Sequence, residues 1–222
     1  LREHRKYLIV DGTTVALGGM NFNYASLQDS THPEGQRDSM YVFESSQLGG
    51  HLLAGFIDFW NDNSWDYLAP DILSPNLDST TAAGGTMRAW VADQRAGGDE
   101  IERMFSAMFD AAREEVLLLP LLPFLSNEMR DSVKKAVQRG VVVRMLLPYD
   151  MRDANREPVE YAALDLLDLG IELYREDEPP DGVHIPLLHE KLMIVDNVYA
   201  VIGSANYNLR SMRLANEISL VV

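Results

Sequence analysis

The chain has 222 residues, no cysteine and a formal net charge of −15. The missing thiols exclude disulfides, thiolate metal sites and cysteine nucleophiles, and the acidity counts against nucleic acid as a partner, since such binders neutralise phosphates with surface Lys and Arg. At 46% hydrophobic residues the chain can bury a core, while its longest apolar run, residues 116–125 (VLLLPLLPFL), is too short and too proline-rich to span a bilayer.

In chain order, YLIVD at 7–11 and TVALGG at 14–19 read as two strands joined by an Asp-Gly turn. A further strand, SMYVFES, is preceded by Asp38, and residues 46–62 look helical. The stretch 65–85 is rich in Pro, Asp, Asn, Ser, Thr and Gly and reads as a linker. Beyond it, strands are expected at 86–93, 116–119, 141–147 and 171–174. Helices are expected at 98–113, 126–139 with Ser126 as N-cap, and 159–169 ending at Gly170. The apolar stripe Ile101, Met104, Phe105, Met108, Phe109 reads as core, and residues 176–182 as an acidic, solvated loop. The final strand is expected at ISLVV, preceded by Glu217. This alternation implies an α/β sheet with helices on its faces.

An internal repeat organises the chain. Residues 4–21 read HRKYLIVDGTTVALGGMN and residues 189–206 read HEKLMIVDNVYAVIGSAN, without a gap. His4 matches His189, Lys6 matches Lys191, Asp11 matches Asp196 and Asn21 matches Asn206; the register runs on to Asn23 with Asn208 and Ser26 with Ser211. One copy of so short a motif is weak evidence; two in one register are strong. The second copy has a long α/β segment upstream and the first has three residues, so repeat logic predicts that the matching N-terminal elements are missing from this sequence, and that it stops inside a strand at Val222.

The repeated residues suit phosphodiester exchange, which needs a nucleophile, an acid for the leaving oxygen and donors for the phosphoryl oxygens. Two histidines can divide the first two tasks, one forming a covalent phosphohistidine. Lys6, Lys191, Asn21 and Asn206 can supply the donors, and nothing in the set requires a metal or cofactor. Two-residue spacing on a strand puts His and Lys on one face. A catalytic imidazole wants a carboxylate on its other nitrogen, and Asp38 is the candidate for His4 and Glu217 for His189. Asp11 and Asp196 should face away and tie down the following turn. Ser26 and Ser211 either bind phosphate or cap a turn.

The paired H-x-K-x4-D and G-[GS]-x-N motifs resemble the phospholipase D superfamily, and their wording, with RDSMYVFES and LLPFLSNEMRDSVKKAVQRGVVVRMLLP, is similar to its bacterial cardiolipin synthase-like branch. The resemblance implies two pseudo-symmetric α/β halves, each a mixed sheet flanked by helices, the first half lacking its N-terminal elements. Residues 1–64 would be the C-terminal part of the first half, 65–85 the linker and 86–222 the second half. It implies His4 as nucleophile and His189 as acid/base, with transfer of a phosphatidyl group from a phosphatidylglycerol-like phospholipid to an alcohol or water. It also implies association with the bacterial cytoplasmic membrane. Two departures bear on substrate: Asn208 stands where an acidic residue is common in synthases, and LLPLLPFL lacks an aromatic before its proline. The alternatives are a metal-independent nuclease of the same superfamily and a non-catalytic pseudoenzyme or binding module. The Leu117–Leu125 stretch reads as a strand and its exit, with a membrane-touching loop as the alternative.

Overall fold

The computed structural model describes residues 2–27, 35–69, 88–149 and 153–222. Its first strands are β1 (Arg2–Glu3), β2 (Tyr7–Val10), β3 (Thr14–Gly18) and β4 (Met40–Glu44), followed by helix α1 (Ser46–Asn63). Then come β5 (Trp90–Gln94), α2 (Glu100–Ala111), β6 (Glu115–Pro120), α3 (Asn127–Gln138), β7 (Val142–Leu147), α4 (Asp153–Asp168) and β8 (Glu172–Arg175). The chain closes with β9 (Lys191–Val195), β10 (Tyr199–Gly203) and β11 (Ala215–Val221).

By contacts the chain forms two units. The larger takes the described residues within 1–6, 18–39 and 88–222, the smaller those within 7–17 and 40–87. The boundary differs from the sequential division read from the repeat, because residues of the first motif pack with the second half. The expected linker falls mostly outside the described residues.

The larger unit is built on an eight-stranded mixed sheet in the order β1-β11-β10-β9-β6-β7-β8, with β5 also paired to β11. Alternating side chains of β6 and β7 present Val116, Leu118, Val143 and Met145 to one face, where the stripes of α2 and α3 cover them. Ile101, Phe105 and Phe109 of α2 are buried there as the periodicity predicts, and Phe105 packs on Tyr207 with ring centroids 4.7 Å apart. Ser126 caps α3, its hydroxyl accepting from Met129 N at 3.3 Å. The smaller unit pairs β2, β3 and β4 in a three-stranded sheet, with α1 against β2.

Three sequence expectations need correction. Helix α4 begins at Asp153, not 159: Pro158 lies inside it, near the N-terminal end, where a proline costs few intrahelical bonds. Strand β11 begins at Ala215, so Glu217 lies within it rather than ahead of it. Strand β1, too short to register as a pattern, was not expected; it pairs in parallel with β11, Arg2 opposite Ala215 and Glu3 opposite Asn216.

Candidate active site

The β1–β11 register decides where His4 goes. One residue beyond the pair Glu3–Asn216, His4 comes beside Glu217, and its backbone N–H donates to Asn216 O at 3.1 Å. His4 Nδ1 lies 2.9 Å from both carboxylate oxygens of Glu217. A proton on Nδ1 is thereby held, and Nε2 is left for chemistry. Ser204 Oγ donates to the same carboxylate at 2.5 Å and Ser211 Oγ at 2.6 Å, so Glu217, fully buried, is saturated with donors.

The second imidazole is held the same way by another segment. Arg37 and Leu188 form a parallel bridge, and His189 N donates to Arg37 O at 2.8 Å. One step on, Asp38 Oδ2 sits 2.5 Å from His189 Nδ1. The carboxylates therefore serve the opposite histidines from those expected: Glu217 holds His4 and Asp38 holds His189. The reason is strand register. Each histidine leaves a strand segment that runs parallel to the segment bearing the other motif's carboxylate.

Both lysines are buried. Lys6 Nζ donates to His4 O at 2.5 Å, and Lys191 Nζ donates to His189 O while lying 2.7 Å from His189 Nδ1 and 3.4 Å from Asp38 Oδ2. Burial drives the Lys6 ammonium down to about 8, against the pull of Glu217 and with the push of Lys191. Burial likewise drives Lys191 down to about 8, against the pull of Asp38. Burial also lowers the proton affinity of His189, opposed by the Asp38 hydrogen bond and reinforced by the Lys191 charge.

His4, His189, Asn21 and Asn206 line one cleft of about 250 Å³ with Ser211 and Glu217. The lysines are buried and are not among its lining residues. The asparagines are held alike: Asn21 O accepts from Asn23 N and Asn206 O from Asn208 N, each at 2.9 Å. Asn206 Oδ1 is buried without a protein hydrogen-bond partner among the described residues.

Asp196 stands apart, as the strand alternation predicts. Its carboxylate accepts from Arg113 N, Glu114 N and Glu115 N at 2.8–2.9 Å, tying the β9 turn to the α2–β6 connection. Although burial opposes the charge, those backbone donors hold its carboxyl below the usual range. Asp11 occupies the matching turn of the smaller unit, with φ of 51° against 54° at Asp196. Ser26 and Ser211 differ in use. Both receive an Asx cap on their backbone N–H, from Asn23 at 2.9 Å and Asn208 at 3.0 Å, and the Ser211 hydroxyl also goes to Glu217.

Three participants escaped the sequence reading. Ser204 and Gly19 occupy the variable position of the G-[GS]-x-N motif, a difference visible in sequence without an evident role. A Cβ on Gly19 would lie 2.3 Å from Asp38 Oδ1, so the shorter carboxylate packs where the other half has a serine hydroxyl. Arg37 is the third: its guanidinium donates to Pro186 O at 2.9 Å and pairs with Glu176 at 2.5 Å, clamping the segment that leads into His189.

The chain has relatives among known proteins. Residues 105–222 match the family model described as cardiolipin synthase, phospholipase D-like domain. The chain belongs to this phospholipase D-like family. It is 26% identical over 223 residues to a cardiolipin synthase of Geobacillus kaustophilus, covering 98% of this chain and 42% of the relative. It is 29% identical over 224 residues to cardiolipin synthase A of Pseudomonas aeruginosa, covering 99% of this chain and 43% of the relative. The chain thus spans less than half the length of these phospholipase D-like relatives. The solved structure of phosphatidylserine synthase from Haemophilus influenzae shares the fold, with a TM-score of 0.66 at 14% identity over 99% of this chain and 57% of that one.

Proposed function

We propose that the cleft performs phosphodiester exchange on a phospholipid through a covalent phosphohistidine, moving a phosphatidyl group to an alcohol or water. The observation that carries this reading is the pair of cleft-lining imidazoles, each fixed at Nδ1 by a buried carboxylate. His4 Nε2 attacks phosphorus, the bond to the leaving alcohol oxygen breaks, and His189 gives that oxygen a proton. In the second half His189 takes the proton of the incoming hydroxyl, whose oxygen attacks phosphorus, and the N–P bond breaks. Lys6 and Lys191 stabilise the phosphoryl charge from beneath, and Asn21 and Asn206 donate to its oxygens.

The lining of the cleft supports a lipid. Leu187 stands two residues ahead of His189, and β6, antiparallel to β9 with Pro120 opposite Lys191, runs on into Leu121 and Leu122 at the same end. These side chains make the His189 end apolar, suited to a substrate presented at the bacterial membrane surface. Among the described residues no helix is long and apolar enough to cross a membrane. The test uses the intact protein and phosphatidylglycerol labelled in its phosphate. Wild type should release a phosphatidyl-transfer product and yield an acid-labile protein-bound label. His4→Ala should yield neither. Failure to transfer phosphatidyl to any added alcohol or to water would overturn the reading, as would equal labelling of wild type, His4→Ala and His189→Ala.

A further inference from the structure

The two motifs differ at the residue between histidine and lysine, which is Arg5 in the first and Glu190 in the second. On an extended segment that residue faces away from its two neighbours. Arg5 meets carboxylates there, Glu3 at 2.7 Å and Asp93 at 3.0 Å. Glu190 is instead buried, and its Oε2 accepts from Ser39 Oγ at 2.5 Å. The partner follows from register. The Arg37–Leu188 bridge sets Asp38 beside His189, and one step further it sets Ser39 beside Glu190. Adjacent residues of extended segments face opposite sides, so the two contacts grip the same pair of segments from both faces. The Ser39 backbone N–H also donates to Asp38 Oδ1 at 2.9 Å, which joins the Glu190 contact to the carboxylate that holds His189.

A buried carboxylate is costly unless it is hydrogen-bonded and its charge is balanced. Burial raises the Glu190 carboxyl above the usual range, against the Ser39 hydrogen bond and with the push of Asp38; Lys191 pulls it down. Tyr207, which follows β10, feels the same charge, since burial and then Glu190 push its phenol up. Lys191 is attracted by Asp38, Glu190 and Glu217, and it repels the other buried lysine, Lys6, and disfavours the charged form of His189. Of those three carboxylates Glu217 holds His4 and Asp38 holds His189. Glu190 alone has no histidine to hold.

We propose that Glu190 is a positioning residue of the second half-site: through Ser39 it locks Asp38 in register with His189, and its carboxylate balances the buried Lys191 ammonium. The role rests on the phosphodiester-exchange reading and adds to it a residue outside the cleft lining. It also separates the two lysines. The matching residue of the first motif is a cation turned toward Glu3 and Asp93, so Lys6 gains no such counter-charge from its neighbour.

The lysines of this chain are Lys6, Lys134, Lys135 and Lys191, few enough to follow one by one by NMR of the intact protein labelled with 13C-lysine. In wild type Lys191 should titrate at about 8. Glu190→Gln keeps the shape of the side chain and removes its charge. The Lys191 midpoint should then fall by about one pH unit, the scale of one neighbouring charge, while Lys6 stays in place. The alkaline limb of phosphatidylglycerol turnover should move down with it. Ser39→Ala keeps every charge and removes the tie. It should lose roughly tenfold in kcat with KM held, within the scale of a small misplacement of a catalytic group. That loss should shrink with bis(p-nitrophenyl) phosphate, whose leaving group needs no proton from His189. This variant decides the positioning role even where Glu190→Gln does not fold. An unmoved Lys191 midpoint in Glu190→Gln, or wild-type kcat in Ser39→Ala, would overturn the proposal. Turnover by wild type with an unmoved midpoint in Glu190→Gln defeats the Glu190 role alone. A shifted midpoint in a protein that turns over no phosphodiester defeats the function reading and leaves the charge balance standing.

Discussion

In the proposed exchange Lys6 and Lys191 should set the pH response of the cleft, since burial pushes both ammonium groups down from the ordinary 10.5 to about 8. As pH rises through about 8 the charge beneath the phosphoryl group is lost, and initial rates should fall. Stability should move the other way. An unfolded lysine keeps its proton up to 10.5, so between 8 and 10.5 the folded state binds fewer protons and each lysine's contribution to stability rises with pH. Rate profiles and thermal unfolding across the alkaline range should therefore diverge. In the proposed exchange His189, whose proton affinity burial lowers, suits the half-reaction in which it takes a proton. Asp196 is expected to serve stability and not the reaction. Asp196→Ala removes three charge-assisted backbone bonds and should cost about 2 kcal/mol in denaturant unfolding, with turnover at low temperature retained.

At the scale of elements, tight backbone approaches hold the half-sites together. A Cβ on Gly203 would meet Ile218 O at 2.3 Å across β10 and β11, so Gly203→Ala should fail to give folded protein by circular dichroism. Gly19→Ala should fold, but its methyl displaces Asp38 or the Lys191 stem, and turnover should drop roughly 100-fold, the scale of an ångström's misplacement in a catalytic group. Much of this level was legible beforehand. The stripe of α2, the Ser126 cap and the hairpin-like pairs β2–β3 and β9–β10 follow from periodicity and turn chemistry. Strand β1 and the early start of α4 do not: two residues carry no period, and a proline inside a helix reads as a stop. Which side chains share the cleft was partly legible, because matched positions in the repeat pick out the two His and two Asn that line it. Its pairing was not legible, because a repeat shows which residues are equivalent and not which of them meet. That is fixed by the register of β1 on β11 and of Arg37 on Leu188.

Across the whole molecule the crossed pairing makes each motif depend on the other, which a kinetic experiment can read. Asp38→Asn should weaken His189, and the loss should shrink with a p-nitrophenolate leaving group, which needs no proton to depart. Glu217→Gln should weaken His4 and slow both substrates alike. The uncrossed pairing expected from sequence demands the reverse. The equivalent strands also differ in setting. Met193 and Val195 of β9 are buried, whereas Leu8 and Val10 of β2, at the matching repeat positions, are 55% and 45% exposed. The parallel run of β1 beside β11 has a last consequence, for synthesis. Glu217, the carboxylate that holds His4, lies 213 positions after it in the chain. Until Glu217 has been made the emerging imidazole has no carboxylate to orient it, and β1 has no strand to join. The pairing that orients His4 is thus completed only when nearly all of the second motif has been made.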